Sequence, residues 1–151
     1  FTIIKDIEKF NKFKEKYDFS VFSTDKILSH LKNDCEVIII TQDFKVVHIR
    51  YIAFNIRSKN YIEPRFPVDF KNEATFGGGF TLLNYRRQGI SNFVISKMMQ
   101  YIYKKNIKYM VYSINSKNIA SQKNHAQFNN QYLGKGYVIN VLFITIVLVI
   151  Y

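Results

Sequence analysis

Residues 74 to 106, ATFGGGFTLLNYRRQGISNFVISKMMQYIYKKN, leave the chain few choices. The first part is apolar and β-prone but is broken by Gly77, Gly78 and Gly79. Consecutive glycines weaken a strand and mark a bulge, or a place where another group must come close to the backbone. From Ile90 onward, apolar residues recur at 90, 93, 94, 98, 101 and 102, which predicts a helix with a broad buried face. Between strand and helix lies NYRRQG. Gly89 has no Cβ to hold a ligand off, and the amides of Arg87 to Ser91 fall at a helix start, where N–H groups lack intrahelical partners and the dipole favours negative charge. Such a turn either caps itself or takes an anion, and a diphosphate has the oxygens to meet several donors at once. Arg86, Arg87 and Lys97 are the cations within reach of it.

The flanking sequence supplies the rest of a mixed sheet with helices packed on it. Ile3, Ile7, Phe10, Phe13 and Tyr17 are spaced for an amphipathic helix, with FTII also readable as the end of a strand. STDKILSHLKN reads as a short second helix capped by a hydroxyl at Ser23 or Thr24. CEVIIITQ and KVVHIRYIAFNI, separated by Asp43 and Phe44, read as a β-hairpin. RSKNYIEPRFPVDFKNE, with Pro64 and Pro67, reads as a long loop. IKYMVYSIN is a strand and NIASQKNHAQFNNQ a weaker helix. VINVLFITIVLVIY, residues 138 to 151, reads as a buried strand and is shorter than the roughly 20 residues of a membrane-spanning helix. The predicted order is α, α, β, β, β, α, β, α, β: an α/β chain folded as a single domain over residues 1–151.

Composition narrows the function classes. Hydrophobic residues make up 48% of the 151, enough for a packed core. Lys and Arg outnumber Asp and Glu by 22 to 11, which favours anionic partners. These cations are scattered singly through the chain, so a nucleic-acid footprint is not expected. Cys35, the single cysteine, fits a buried structural thiol and excludes an internal disulfide. The three His and the Cys show no close metal-ligand spacing, so no metal is expected. With no signal-peptide pattern and no spanning segment, a cytoplasmic protein without membrane association is the default expectation.

TLLNYRRQGIS resembles motif A of the GNAT superfamily of acyl-CoA-dependent N-acetyltransferases. Arg86 and Gly89 match the pattern of Gln or Arg, two residues, Gly, one residue, then Gly or Ala, and Tyr85 is the preceding aromatic. Ser91 departs from the final Gly or Ala. INSKNIAS resembles the family's post-strand pattern at Asn118 and Ser121, and GKGY its later Gly-Phe, with Tyr137 in place of Phe. The likeness spans residues 74 to about 140. It implies a GNAT-like fold with a central mixed, mostly antiparallel sheet flanked by helices, and acetyl-CoA as cosubstrate to an amine acceptor.

The resemblance also assigns roles. Backbone groups at Gly79, Phe80 and Thr81 would bond the pantetheine arm, and the diphosphate would sit on the turn of Arg86, Arg87, Gln88, Gly89, Ile90, Ser91 and Asn92. Asn118 would bond the arm or hold the sheet open; a helix N-cap is its other reading. Direct attack by an amine needs a proton for the leaving thiolate. Counting forward from Asn118 gives His125 for that proton donor, and counting back from Gly136 gives Tyr132. Glu73 is the candidate base, and His48 and Tyr51 are candidates for the acceptor side; His30 receives no role. The acceptor itself, a small molecule, amino sugar or peptide, is not legible, and monomer and homodimer are equally allowed. Two other readings stay open: a GNAT-like domain that binds acyl-CoA or a protein without catalysis, and a basic nucleic-acid-binding domain.

Overall fold

The computed structural model describes residues 1–62, 66–128, 130–141 and 144–150, the side chains of 137–141 and 144–150 excepted. The chain runs β1 (Thr2–Ile4), α1 (Ile7–Lys14), α2 (Thr24–Lys32), β2 (Glu36–Gln42), β3 (Lys45–Ala53), α3 (Ile56–Ile62), β4 (Glu73–Thr81), a single helical turn (Leu83–Tyr85), α4 (Ile90–Lys104), β5 (Tyr109–Val111), α5 (Ile119–His125), β6 (Lys135–Val141) and β7 (Ile144–Ile150). β1 to β5 form one sheet in sequence order, antiparallel except for the parallel β4–β5 pair.

Local chemistry explains most of this. Asp6 accepts from the Lys9 amide at 2.7 Å, so α1 begins there and not at Ile3. Ile3 pairs with Ile38 in a short strand, as the alternative reading of FTII had it. Asp43 and Phe44 hold φ of 48° and 61°, the two-residue turn that matches strand twist and closes the expected β2–β3 hairpin. The expected loop after β3 opens instead with α3, which Asn55 starts by accepting from the Ser58 amide at 2.9 Å. This helix is short and carries no apolar stripe, so periodicity does not show it. Pro64 lies outside the described residues. The C-terminal run is two antiparallel strands rather than one, with Lys135 opposite Ile150 and Val141 opposite Ile144. Its expected burial, and the side chain of Tyr137, fall outside the described residues.

Apolar side chains sort onto the two faces of the sheet. Phe10, Phe22, Ile27 and Leu31 from α1, α2 and the segment between them pack with Val37, Ile39, Ile49 and Tyr51. Val94, Met98 and Ile102 of α4 pack with Ile38, Ile52, Ala74 and Phe76. Cys35 is buried, as expected of a structural cysteine, and burial pushes its thiol up to about 12.

β4 shapes everything near the site. Ile49 faces Phe80 while Tyr51 faces Gly77, so β4 carries one residue more than β3 across this span, a β-bulge. Gly78 sits in the bulge with φ of 61°. A Cβ on Gly77 would meet Ile62 at 2.6 Å, one on Gly78 the Tyr51 ring at 2.6 Å, and one on Gly79 the Arg50 guanidinium at 2.5 Å. The glycine run is therefore required by close approach on both faces. Gly89 differs: its φ is 76°, but a Cβ there would meet nothing within 4 Å. Gly78→Ala should lower unfolding stability by about 1–3 kcal/mol from backbone strain alone, with the ring clash added. Gly89→Ala, carrying strain without a clash, should cost less when both variants are compared by urea denaturation.

Candidate functional site

β4 pairs with β5 only through Glu73, Ala74 and Thr75. From Phe76 to Thr81 its one paired neighbour among the described residues is β3, so the sheet opens between β4 and β5. The opening is a polar cleft of about 220 Å³, walled by Gly77 to Gly79, Phe76 and Arg50 on one side and by Tyr112 to Asn115, Asn118, Ser121 and His125 on the other. An exposed length of strand edge of this kind can accept an extended ligand as a further strand.

The start of α4 offers donors. Gly89 is its N-cap and has no side chain to cap with; the first backbone bond is from the Phe93 amide to the Gly89 carbonyl, 2.9 Å. The amides of Arg87 through Asn92 donate to no described residue. Around them, the Arg86 guanidinium holds the Thr81 carbonyl at 2.9 Å and lies over the Phe80 ring, and the Gln88 side chain bonds the Asn84 carbonyl at 3.0 Å. These contacts brace the turn without consuming its amides. Lys97 lies over Phe93. Ser91, where the motif has Gly or Ala, uses its hydroxyl to take a 2.9 Å bond from Asn124, and Asn92 donates to Gln127 at 2.9 Å, tying α4 to the chain at and just beyond α5.

Arg50 is the residue the sequence reading missed. It is 7% exposed, and its Nε is buried with no hydrogen-bond partner. Its guanidinium lies against Gly79, 4.9 Å above the Phe76 ring, and reaches the Ser91 hydroxyl at 3.4 Å. No described carboxylate pairs with it. Burial pushes it down to about 10, which still leaves it charged at neutral pH. A buried cation without a counter-ion is costly, and the stacking on Phe76 offsets only part of that cost. The available signal was one Arg in the apolar strand sequence VVHIRYIA.

The other candidates separate. His125 is 5% exposed and lines the cleft, with its ring against Phe76 and Tyr112. Burial pushes it down to about 4, and the Arg50 charge adds to the effect. It is a neutral imidazole at neutral pH, able to donate an N–H but not to act as an imidazolium. Tyr132 is 73% exposed and outside the cleft lining. Asn118 caps α5, accepting from the Ser121 amide at 3.0 Å, and it also stands in the cleft wall. Thr81 uses its hydroxyl on His48 at 2.7 Å, and His48 is buried beside it rather than in a cavity wall. Glu73 accepts from the Asp69 amide at 2.8 Å at the closed end of β4, about 20 Å along the strand from Gly79.

No protein-family model and no curated protein sequence matches this chain. Solved structures do. An aminoglycoside N-acetyltransferase, AAC(6')-Iy, bound to a CoA bisubstrate analogue superposes with a TM-score of 0.60 at 16% identity, covering 95% of each chain. A ribosomal-protein-alanine N-acetyltransferase from Brucella melitensis gives 0.59 at 16%, covering 93% of this chain and 98% of that one. A transcriptional regulator from Bacillus halodurans gives 0.63 at 11%, covering 93% and 99%. This chain has the GNAT fold. Within the GNAT fold, the parted β4–β5 pair, the bulged glycine strand and the uncapped α4 are contiguous here. Among the described residues no helix is long and apolar enough to cross a membrane.

Two outcomes follow. Arg50→Met removes an unpaired buried charge but keeps apolar volume, so the ligand-free protein should unfold at equal or higher urea. Where the cleft takes a diphosphate such as that of CoA, the same variant should bind it more weakly by about 1.5–3 kcal/mol, roughly tenfold or more, by calorimetry. Separately, His48 is held by burial at about 3 and His125 at about 4, both below their ordinary 6.5. The unfolded chain therefore takes up protons first as pH falls, and ∂ΔG/∂pH is positive in that window. Stability should be full above pH 6.5 and decline as pH falls from there toward 4 and below, and His125→Gln should flatten part of that decline in urea midpoints.

Proposed function

We propose that the protein is an N-acetyltransferase that moves an acetyl group from acetyl-CoA to a primary amine by direct attack. The observation that carries this reading is the convergence of the amides of Arg87 to Asn92, which donate to no described residue, with the Arg50 guanidinium, which no described carboxylate pairs, beside the open edge of β4. Between them they present fixed donors and a buried positive charge, which suit a diphosphate. The pantetheine arm then runs along the backbone of Gly79, Phe80 and Thr81 as an added strand, with Asn118 facing it, and the thioester reaches Gly78. The positive charge of the chain as a whole steers the anionic cosubstrate inward.

At the thioester, the amine nitrogen bonds the acyl carbon as the carbon–sulfur bond breaks. The nitrogen gives up a proton, and the sulfur gains one. His125 is the cleft group we assign to the leaving sulfur: as a neutral imidazole it hydrogen-bonds the thiolate, and solvent completes protonation. Tyr132 and Glu73 take no part in this assignment, because neither lines the cleft.

The bonds from Ser91 to Asn124 and from Asn92 to Gln127, which tie the start of α4 to the chain around and just beyond the end of α5, favour a second reading as an acyl-CoA-binding domain without turnover. Titration with CoA and a thiol-release assay over a broad amine panel separate the two. Catalysis predicts saturable heat with CoA and thiol release that depends on an amine; binding alone predicts heat without release. No heat and no thermal shift at millimolar CoA would end both.

A further inference from the structure

A second cavity, about 340 Å³, opens on the opposite face of the sheet and is lined by Lys26, His30, Tyr51, Tyr61, Ile62 and Gly78. Arg50 and Tyr51 are consecutive on β3 and so point to opposite faces, one toward each cavity. Gly78 belongs to both linings, and its missing Cβ leaves only backbone between them. A nucleophile held in the second cavity thus faces a thioester brought along β4.

The lining is specific. Tyr51 is 1% exposed and its hydroxyl has no partner. Its ring stacks on His30 at 3.6 Å and 11°, and Tyr61 closes edge-on against His30 at 4.7 Å. His30 Nδ1 lies 2.7 Å from the Lys26 carbonyl, which can only accept, so Nδ1 carries the proton and Nε2 the lone pair. Burial holds the ring below its ordinary value, hence neutral. The Lys26 ammonium makes no ion pair or hydrogen bond with a described residue. No Asp or Glu among the described residues lines the cavity.

We infer that this cavity holds the acceptor: a primary amine with a flat or apolar body and an acidic group, the acid meeting Lys26 and the amine directed at Gly78 and His30. The inference rests on the acetyl-transfer reading and names its substrate class. Aromatic walls fit a flat body, and Lys26 at the rim, with no carboxylate opposite it among the described residues, favours an acid over a polyamine. During transfer the amine nitrogen forms its bond to the acyl carbon while the carbon–sulfur bond breaks. The nitrogen's proton passes to His30 Nε2, and the thiolate takes its proton as assigned above.

The test uses the full chain and four probes: phenethylamine, aminoethyl-benzoate, phosphotyramine and spermine. Calorimetry measures their binding to the protein alone, and thiol release with acetyl-CoA measures turnover. The expected order puts the two acids first and spermine last, and the better acid distinguishes a carboxylate from a phosphate preference. Lys26→Glu, at an exposed position, should weaken the acids about tenfold and raise spermine. His30→Gln should lower kcat about a hundredfold with CoA binding unchanged. Acids that bind no better than phenethylamine, or an order indifferent to Lys26→Glu, overturn the inference. Absent CoA binding sinks the acetyl-transfer reading instead, while probe binding to the free protein still decides whether the cavity selects acidic amines.

Discussion

The bulge in β4 is the constraint on which the rest of the molecule depends. One extra residue opposite β3 places three glycines in a row beneath three different groups: Ile62 over Gly77, Tyr51 over Gly78 and Arg50 over Gly79. Side chains there would drive those groups off the strand. Without them, β4 is a bare backbone ribbon, paired on one side and open on the other beyond Thr75. The same thinness brings two cavities, on opposite faces, to one residue.

Arg50 shows how function is set against stability on this frame. A buried guanidinium with no carboxylate partner among the described residues is a cost the fold carries. Its place beside Gly79 and Ser91, next to amides that no described residue uses, makes that cost intelligible as preorganisation for an anion. The neutral imidazoles His30, His48 and His125 have the same origin, since each is desolvated. For His48 and His125, proximity to the Arg50 charge also disfavours a second cation.

The two cavities divide the chemistry by polarity. The α4-side cleft is polar, with the Arg50 guanidinium in its wall; the α2-side cavity is lined by the rings of His30, Tyr51 and Tyr61 together with Lys26. The sheet lies between them, and Gly78 is the residue common to both linings.

Sequence by itself determined the local elements whose signals are short-range. Periodicity gave α2 and α4, the positive-φ pair Asp43 and Phe44 sits where the hairpin was read, and the glycine run with the basic turn located the uncapped start of α4. It left open or missed what depends on distant partners. β1 exists because β2 lies beside it, and α3 is held by the Asn55 cap and by burial of Ser58 and Lys59, not by an apolar stripe. Only the tertiary structure put His125 in the cleft and left Tyr132 outside, moved Glu73 to the closed end of β4, and brought Arg50, His30 and Lys26 to the cavities. Which face a strand residue meets, and whether a charge finds a counter-ion there, follows from packing between segments far apart in the chain, and no local pattern of residues encodes it.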